Sequence, residues 1–159
     1  QRGARSDALL GVNVEVKSDP REPDHDPTYG RLGAVVEVIE RHLGAGRALV
    51  SSFDPGCLAA MRELAPAVPT ALLAFDLGDA DRMLGLAVSG GHVALNPWDG
   101  FVTAQLVDAA HDHGLGVYPW TVDDPARIEQ LCGLGVDGII TNVPDLCAEV
   151  IDRLFGARP

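Results

Sequence analysis

Basic side chains are scarce in this sequence: 12 stand against 23 acidic ones, giving a formal charge of −11, and Lys17 is the sole lysine. Such a surface repels phosphate backbones, so nucleic acid is not an expected partner. Any anionic ligand needs a local cation, from a metal or from a few placed Lys and Arg side chains. Cysteines number three, Cys57, Cys132 and Cys147, without metal-type spacing and each in a stretch of helical period. They read as reduced thiols, and a cytoplasmic location is expected on that ground alone. No run approaches the roughly 18 apolar residues of a membrane span, and no basic-then-apolar leader opens the chain. Neither a Gly-x-Ser-x-Gly elbow nor a Cys–His arrangement is present, so nucleophilic catalysis has no support.

What is there is a repeated unit. With 47% hydrophobic residues and no low-complexity run, the 159 residues suit one globular α/β domain. Six short apolar runs, 11–17, 47–53, 69–75, 92–96, 115–122 and 136–141, are each followed by a stretch of helical period. Asp54-Pro55, Thr103 and Asp124-Pro125 supply helix-start chemistry, a side-chain acceptor at the cap and Pro just inside. Gly44, Gly114 and Gly133 are the expected helix ends. The last helix is expected to bury Leu146, Val150, Ile151 and Leu154 on one face. Strands alternating with helices imply parallel pairing through right-handed crossovers. An open doubly wound sheet would want a Gly-rich loop after the first strand, and SDPREPDHDP has no glycine. The favoured fold is a TIM-type (β/α)8 barrel, here incomplete at about six βα units.

In a barrel the strand C-termini build the functional mouth. Glu15 and Lys17 lie two apart at the end of VNVEVK, so they face the same way about 6–7 Å apart. Both faces of a parallel strand are normally covered, and a covered ion pair with no task loses to desolvation. A carboxylate that holds a divalent cation, beside an ammonium that neutralises an anionic ligand, accounts for both charges. Phe53 and Trp120 close other runs and offer aromatic walls. Asn96 and Asn142, also at run ends, suit turn or cap roles. His42, His111 and His113 fall near helix C-termini, where the helix dipole favours a cation. His92 opens a strand on the opposite, structural face. His25, in the loop after the first strand, is the one histidine able to reach the mouth.

The segments VNVEVK (12–17), VSSFDP (50–55), GLGVYPWTV (114–122) and GVDGIITNVPD (135–145) resemble, in order and spacing, the glycerophosphodiester phosphodiesterase family. The resemblance implies a TIM barrel that hydrolyses glycerophosphodiesters to glycerol 3-phosphate and an alcohol, with bound Mg²⁺ or Ca²⁺. By residue, it implies that Glu15 is a metal ligand and that Lys17 contacts the phosphate as a catalytic and substrate-binding group. It also implies that Phe53 and Trp120 line the substrate site.

The family pattern also has an opening His-Arg-Gly strand, a strand with two further acidic metal ligands, and a His-Asp segment. Residues 1–159 match none of these: Arg2-Gly3 follows Gln1, and His25-Asp26 comes after Lys17. Asp123 stands where the pattern often has Asn, and Asn142 where it often has Asp. The resemblance therefore implies a phosphodiesterase-like domain over 1–159 that lacks the first two barrel strands, and residues 1–159 alone are expected to be inactive. Two other readings remain open: a non-catalytic phosphate-ligand-binding barrel, and another phosphate-binding TIM-barrel enzyme with Lys17 as Schiff-base former. In the latter, Glu15 would keep the amine protonated, which opposes that chemistry. Oligomeric state is left open.

Overall fold

The computed structural model describes residues 11–23, 25–75 and 80–156. Arg2-Gly3 therefore lies outside the described residues. Two compact units divide the chain, Gln1–Leu72 and Leu73–Pro159.

The first unit runs β1 (Val12–Glu15), α1 (Leu32–His42), β2 (Ala48–Ser52), α2 (Pro55–Leu64) and the start of β3 (Thr70–Ala74). All pairing is parallel: β1 meets β2 from Val12↔Ala48 to Glu15↔Ser51, and β2 meets β3 from Val50↔Thr70 to Ser52↔Leu72. Every residue of β3 is buried, as a near-continuous apolar run requires. Helix α2 begins as its sequence dictates. Asp54 is the cap, accepting the Gly56 N–H, and Pro55 takes the first helical position, where no N–H is needed. Its buried residues Cys57, Leu58 and Met61 share one face, and α1 buries Leu32 and Ile39. Gly44, at φ 76°, ends α1 as expected.

Strand β1 differs from expectation. Among the described residues it pairs with β2 alone, and Val12 is 42% exposed while Val14 and Val16 are half-buried. Among the described residues its faces are at most half covered.

The second unit contains the end of β3, then α3 (Ala80–Ser89), β4 (Ala94–Pro97), α4 (Ala104–Asp112), β5 (Gly116–Val117), α5 (Pro125–Leu134) and α6 (Pro144–Phe155). The backbone N–H of Trp98 donates to Ala74 O at 2.7 Å, and β4 pairs with β5 in parallel, Ala94↔Gly116 and Leu95↔Val117. Bonding runs on past β5, through Tyr118 N–H to Leu95 O and Trp120 N–H to Pro97 O.

The sixth run, 136–141, forms no regular strand. Asp137 N–H donates to Val117 O and Ile140 N–H to Pro119 O, so three residues on one side answer two on the other. Pro119 has no N–H to give, and the Val117 N–H goes to the Asp137 carboxylate at 2.8 Å rather than to a carbonyl. Helix α5 ends at Gly135, left-handed at φ 81°, and Gly133 lies inside it, two residues beyond the expected stop. Helix α6 buries Cys147 and Val150, whereas Leu154 is 37% exposed, so the buried stripe is rotated from the expected one. Among the described residues no helix is long and apolar enough to cross a membrane.

Candidate active site

At the C-terminal end of β1, Lys17 Nζ donates to Glu15 Oε1 at 2.8 Å. The pair forms as its spacing suggests, but Lys17 is 85% exposed and Glu15 36%. Among the described residues, desolvation therefore does not set its energetics. An exposed pair of this kind is worth about 0–1 kcal/mol, which leaves both groups available to a ligand.

The register Glu15↔Ser51, carried on two residues, sets Lys17 beside Phe53, which is 42% exposed. Hydrogen bonds extend the register: Val16 N–H donates to Ser51 O, and the Ser52 hydroxyl donates to Val16 O, both at 2.8 Å. Glu15, Lys17 and Phe53 are thus gathered at one pair of strand ends. Ser51, level with Glu15, is fully buried, and its hydroxyl has no hydrogen-bond partner among the described residues.

Asp54, which follows Phe53, is a residue that sequence reasoning saw only as a helix cap. It is 3% exposed, and its second oxygen, Oδ2, accepts the Ser18 hydroxyl at 2.7 Å and the Tyr29 hydroxyl at 3.1 Å. Burial, and then the bond to Asp54, push the Tyr29 phenol above its ordinary pKa. His25 sits beside this group, with Nδ1 3.3 Å from Ser18 Oγ and its ring edge-on to Tyr29 at 5.7 Å. It is engaged with the loop. Nearby, Arg21 grips Asp19 through side-chain and backbone bonds, which hold that carboxyl down to about 2.

Mg²⁺ and Ca²⁺ want six or more oxygen ligands. Glu15 offers one carboxylate, and among the described residues no three His, Cys, Asp or Glu side chains converge as a metal site would require. The described residues do not by themselves hold such an ion.

Trp120 belongs to the second unit. Its indole N–H donates to Asn96 O at 2.8 Å, and its backbone bridges to Trp98. Phe75 packs against both indoles, 5.8 Å from Trp98 and 6.0 Å from Trp120, with planes 27° and 33° apart. Phe75 and Trp98 were missed as site candidates, although Phe75 closes the run 69–75 as Phe53 closes its own, and Trp98 follows the run 92–96 by two residues. Asn96 plays neither the turn nor the cap role expected of it. It is fully buried, and its side-chain nitrogen and oxygen have no partner among the described residues. Asn142 instead binds Asp123 through its backbone and side-chain N–H groups.

Parallel strands with helices between them, and charged and aromatic groups collected at strand C-termini, define an α/β chain of the TIM-barrel class. The chain belongs to the glycerophosphoryl diester phosphodiesterase family, whose model matches residues 4–146. A glycerophosphodiester phosphodiesterase of Bacillus altitudinis is 32% identical over 144 residues, 90% of this chain and 56% of that protein. A crystal structure from Silicibacter pomeroyi DSS-3, named for the same family, superposes with a TM-score of 0.83 at 31% identity, over 94% of this chain and 52% of that one. A phosphodiesterase of Oleispira antarctica, 23% identical, shares the fold with a TM-score of 0.74, over 89% of this chain and 55% of that one. The chain spans about half the length of the curated relatives it matches.

Proposed function

We propose that this chain is the C-terminal part of a barrel domain that hydrolyses glycerophosphodiesters to glycerol 3-phosphate and an alcohol. The observation that carries the reading is Lys17 beside Glu15 at a strand end, in a chain matched to the phosphodiesterase family over residues 4–146. The Oleispira antarctica relative is described with the product sn-glycerol-3-phosphate bound, which agrees with a phosphomonoester as the product here, the alcohol being the leaving group.

Lys17 would place its ammonium against the phosphoryl oxygens, where negative charge collects in the transition state. Phe53 would pack a carbon-rich part of the substrate, and Trp120 is proposed as a substrate-site residue on the family resemblance alone. Glu15 orients Lys17 and, in a Mg²⁺- or Ca²⁺-dependent enzyme, would give one carboxylate to the ion. The other ligands are not among the described residues, and the domain over 1–159 is proposed to lack the first two barrel strands. A cytoplasmic location is proposed on the cysteines, which form no disulfide.

The test is release of glycerol 3-phosphate from glycerophosphocholine by the protein carrying this chain. Lys17→Ala should lower kcat by about 10²–10³, the loss seen when one transition-state donor is removed. Residues 1–159 expressed alone should release none. Unaltered turnover by the Lys17→Ala protein removes Lys17 from the chemistry.

A further inference from the structure

Lys17 carries the proposed chemistry on a long, open side chain, so its usefulness depends on where its backbone is held. Two interlaced hydrogen bonds hold it. One residue before Lys17, the carbonyl of Val16 accepts the Ser52 hydroxyl at 2.8 Å. One residue after it, the Ser18 hydroxyl donates to Asp54 Oδ2 at 2.7 Å. Residues 16 and 18 are thereby tied to residues 52 and 54, and the ties bracket Lys17 and Phe53 together. Asp54 N–H in turn donates to Ser52 Oγ at 3.2 Å, joining the two ties.

Capping α2 does not explain this arrangement. A cap needs one acceptor, and Asp54 Oδ1 already takes the Gly56 N–H at 2.9 Å. Oδ2 is given to two hydroxyls from the segment between β1 and α1, those of Ser18 and Tyr29. Tyr29 reaches it from φ 52°, a left-handed conformation that a bulky residue keeps only where its surroundings compel it. Gly56 makes room for the ring: a Cβ there would lie 2.3 Å from the Tyr29 hydroxyl oxygen. A tyrosine in a left-handed conformation, a glycine that leaves room for its hydroxyl and a buried carboxylate with two hydroxyl donors converge on Asp54, which also binds Ser18, the residue that follows Lys17.

We propose that Asp54 is a positioning residue, acting through Ser18 and Tyr29 to fix the ammonium of Lys17 beside Phe53. The inference rests on the role of Lys17 stated under the preceding heading. Asp54→Ala also removes a helix cap, so the informative variant is Ser18→Ala, with Ser18→Thr as the conservative partner.

The experiment measures kcat and KM for glycerophosphocholine hydrolysis by the protein carrying this chain, in the wild type, S18A, S18T, K17A and the double variant K17A/S18A. Loss of the Ser18 tie should lower kcat about tenfold with KM within about twofold, as expected of a displaced catalytic group. S18T should recover most of that loss. The double variant should be no slower than K17A alone, since the tie acts only through the lysine. Wild-type turnover by S18A, or a loss that multiplies with that of K17A, overturns the clamp while leaving the lysine's role intact. Normal turnover by K17A overturns the lysine's role, and the clamp with it.

Discussion

Asp123 and Asn142 hold each other at two points: Asp123 Oδ1 accepts the Asn142 backbone N–H at 2.8 Å, and Oδ2 accepts its side-chain N–H at 2.9 Å. Thr141 Oγ1 adds a third bond to Oδ1 at 2.9 Å. The resemblance implies the exchanged letters, Asn at 123 and Asp at 142, and the structure brings these two positions together. An acid at 123 with an amide at 142 makes the same acceptor–donor pair as the exchanged letters would.

The side-chain bond from Asn142, then its backbone bond, with a smaller part from Thr141, hold the Asp123 carboxyl below the ordinary carboxylate range. A depressed folded-state pKa contributes stability that is present above the unfolded value and is lost as pH falls through the folded one. Titration of the Asp123 carboxyl carbon by NMR should therefore show a midpoint below the usual range. Asn142→Ala should move it upward. An unmoved midpoint would mean that these bonds do not form in solution.

Gly133 and Gly135 should respond to alanine with opposite signs. Gly133 lies inside α5 with open space around its Cα, so Gly133→Ala should stabilise by about 0.5 kcal/mol. Gly135 is left-handed at φ 81°, so Gly135→Ala should cost about 1–2 kcal/mol although nothing would touch the new methyl. Urea unfolding midpoints of the two variants check this, and equal signs would place the helix end elsewhere.

Arg127 and Arg153 each bind a carboxylate at 2.7 Å, yet they should differ in worth. Arg127 Nε donates to Asp99 Oδ1 and its Nη2 to Asp99 O, and the ion pair is about three-quarters buried, at 26% and 24% exposure. Arg153 and Glu129 are exposed by 62% and 51%. Arg127→Ala should cost about 1–3 kcal/mol, since it leaves a partly desolvated carboxylate unpaired. Arg153→Ala should cost at most about 1 kcal/mol, and less in high salt. Denaturant unfolding of both variants at two salt concentrations separates them.

Much of the fold was legible because its signals are local. Asp54-Pro55 and Asp124-Pro125 start helices as written, since a cap depends on a side chain and the few N–H groups after it. The charge pair was legible for the same reason, Glu15 and Lys17 being two residues apart on one strand. The clamp was not: Ser18, Tyr29 and Asp54 are ordinary turn and cap letters until the register of β1 against β2 joins residues up to 36 positions apart. The sixth run misled because its apolar pattern is that of a strand, while Pro119 and the Asp137 carboxylate interrupt the ladder it would join.

By itself, then, the sequence determined the alternation of strand and helix, the parallel pairing and the charged strand end, all of which follow from periodicity and from chemistry within a few residues. Only the tertiary structure decided that β1 is no more than half covered among the described residues, that Asn96 is buried with no partner for its amide among them, and that Asp54 gathers two hydroxyls distant in sequence next to Lys17. Burial and long-range hydrogen bonding depend on which segments meet in space, and no spacing along the chain encodes that.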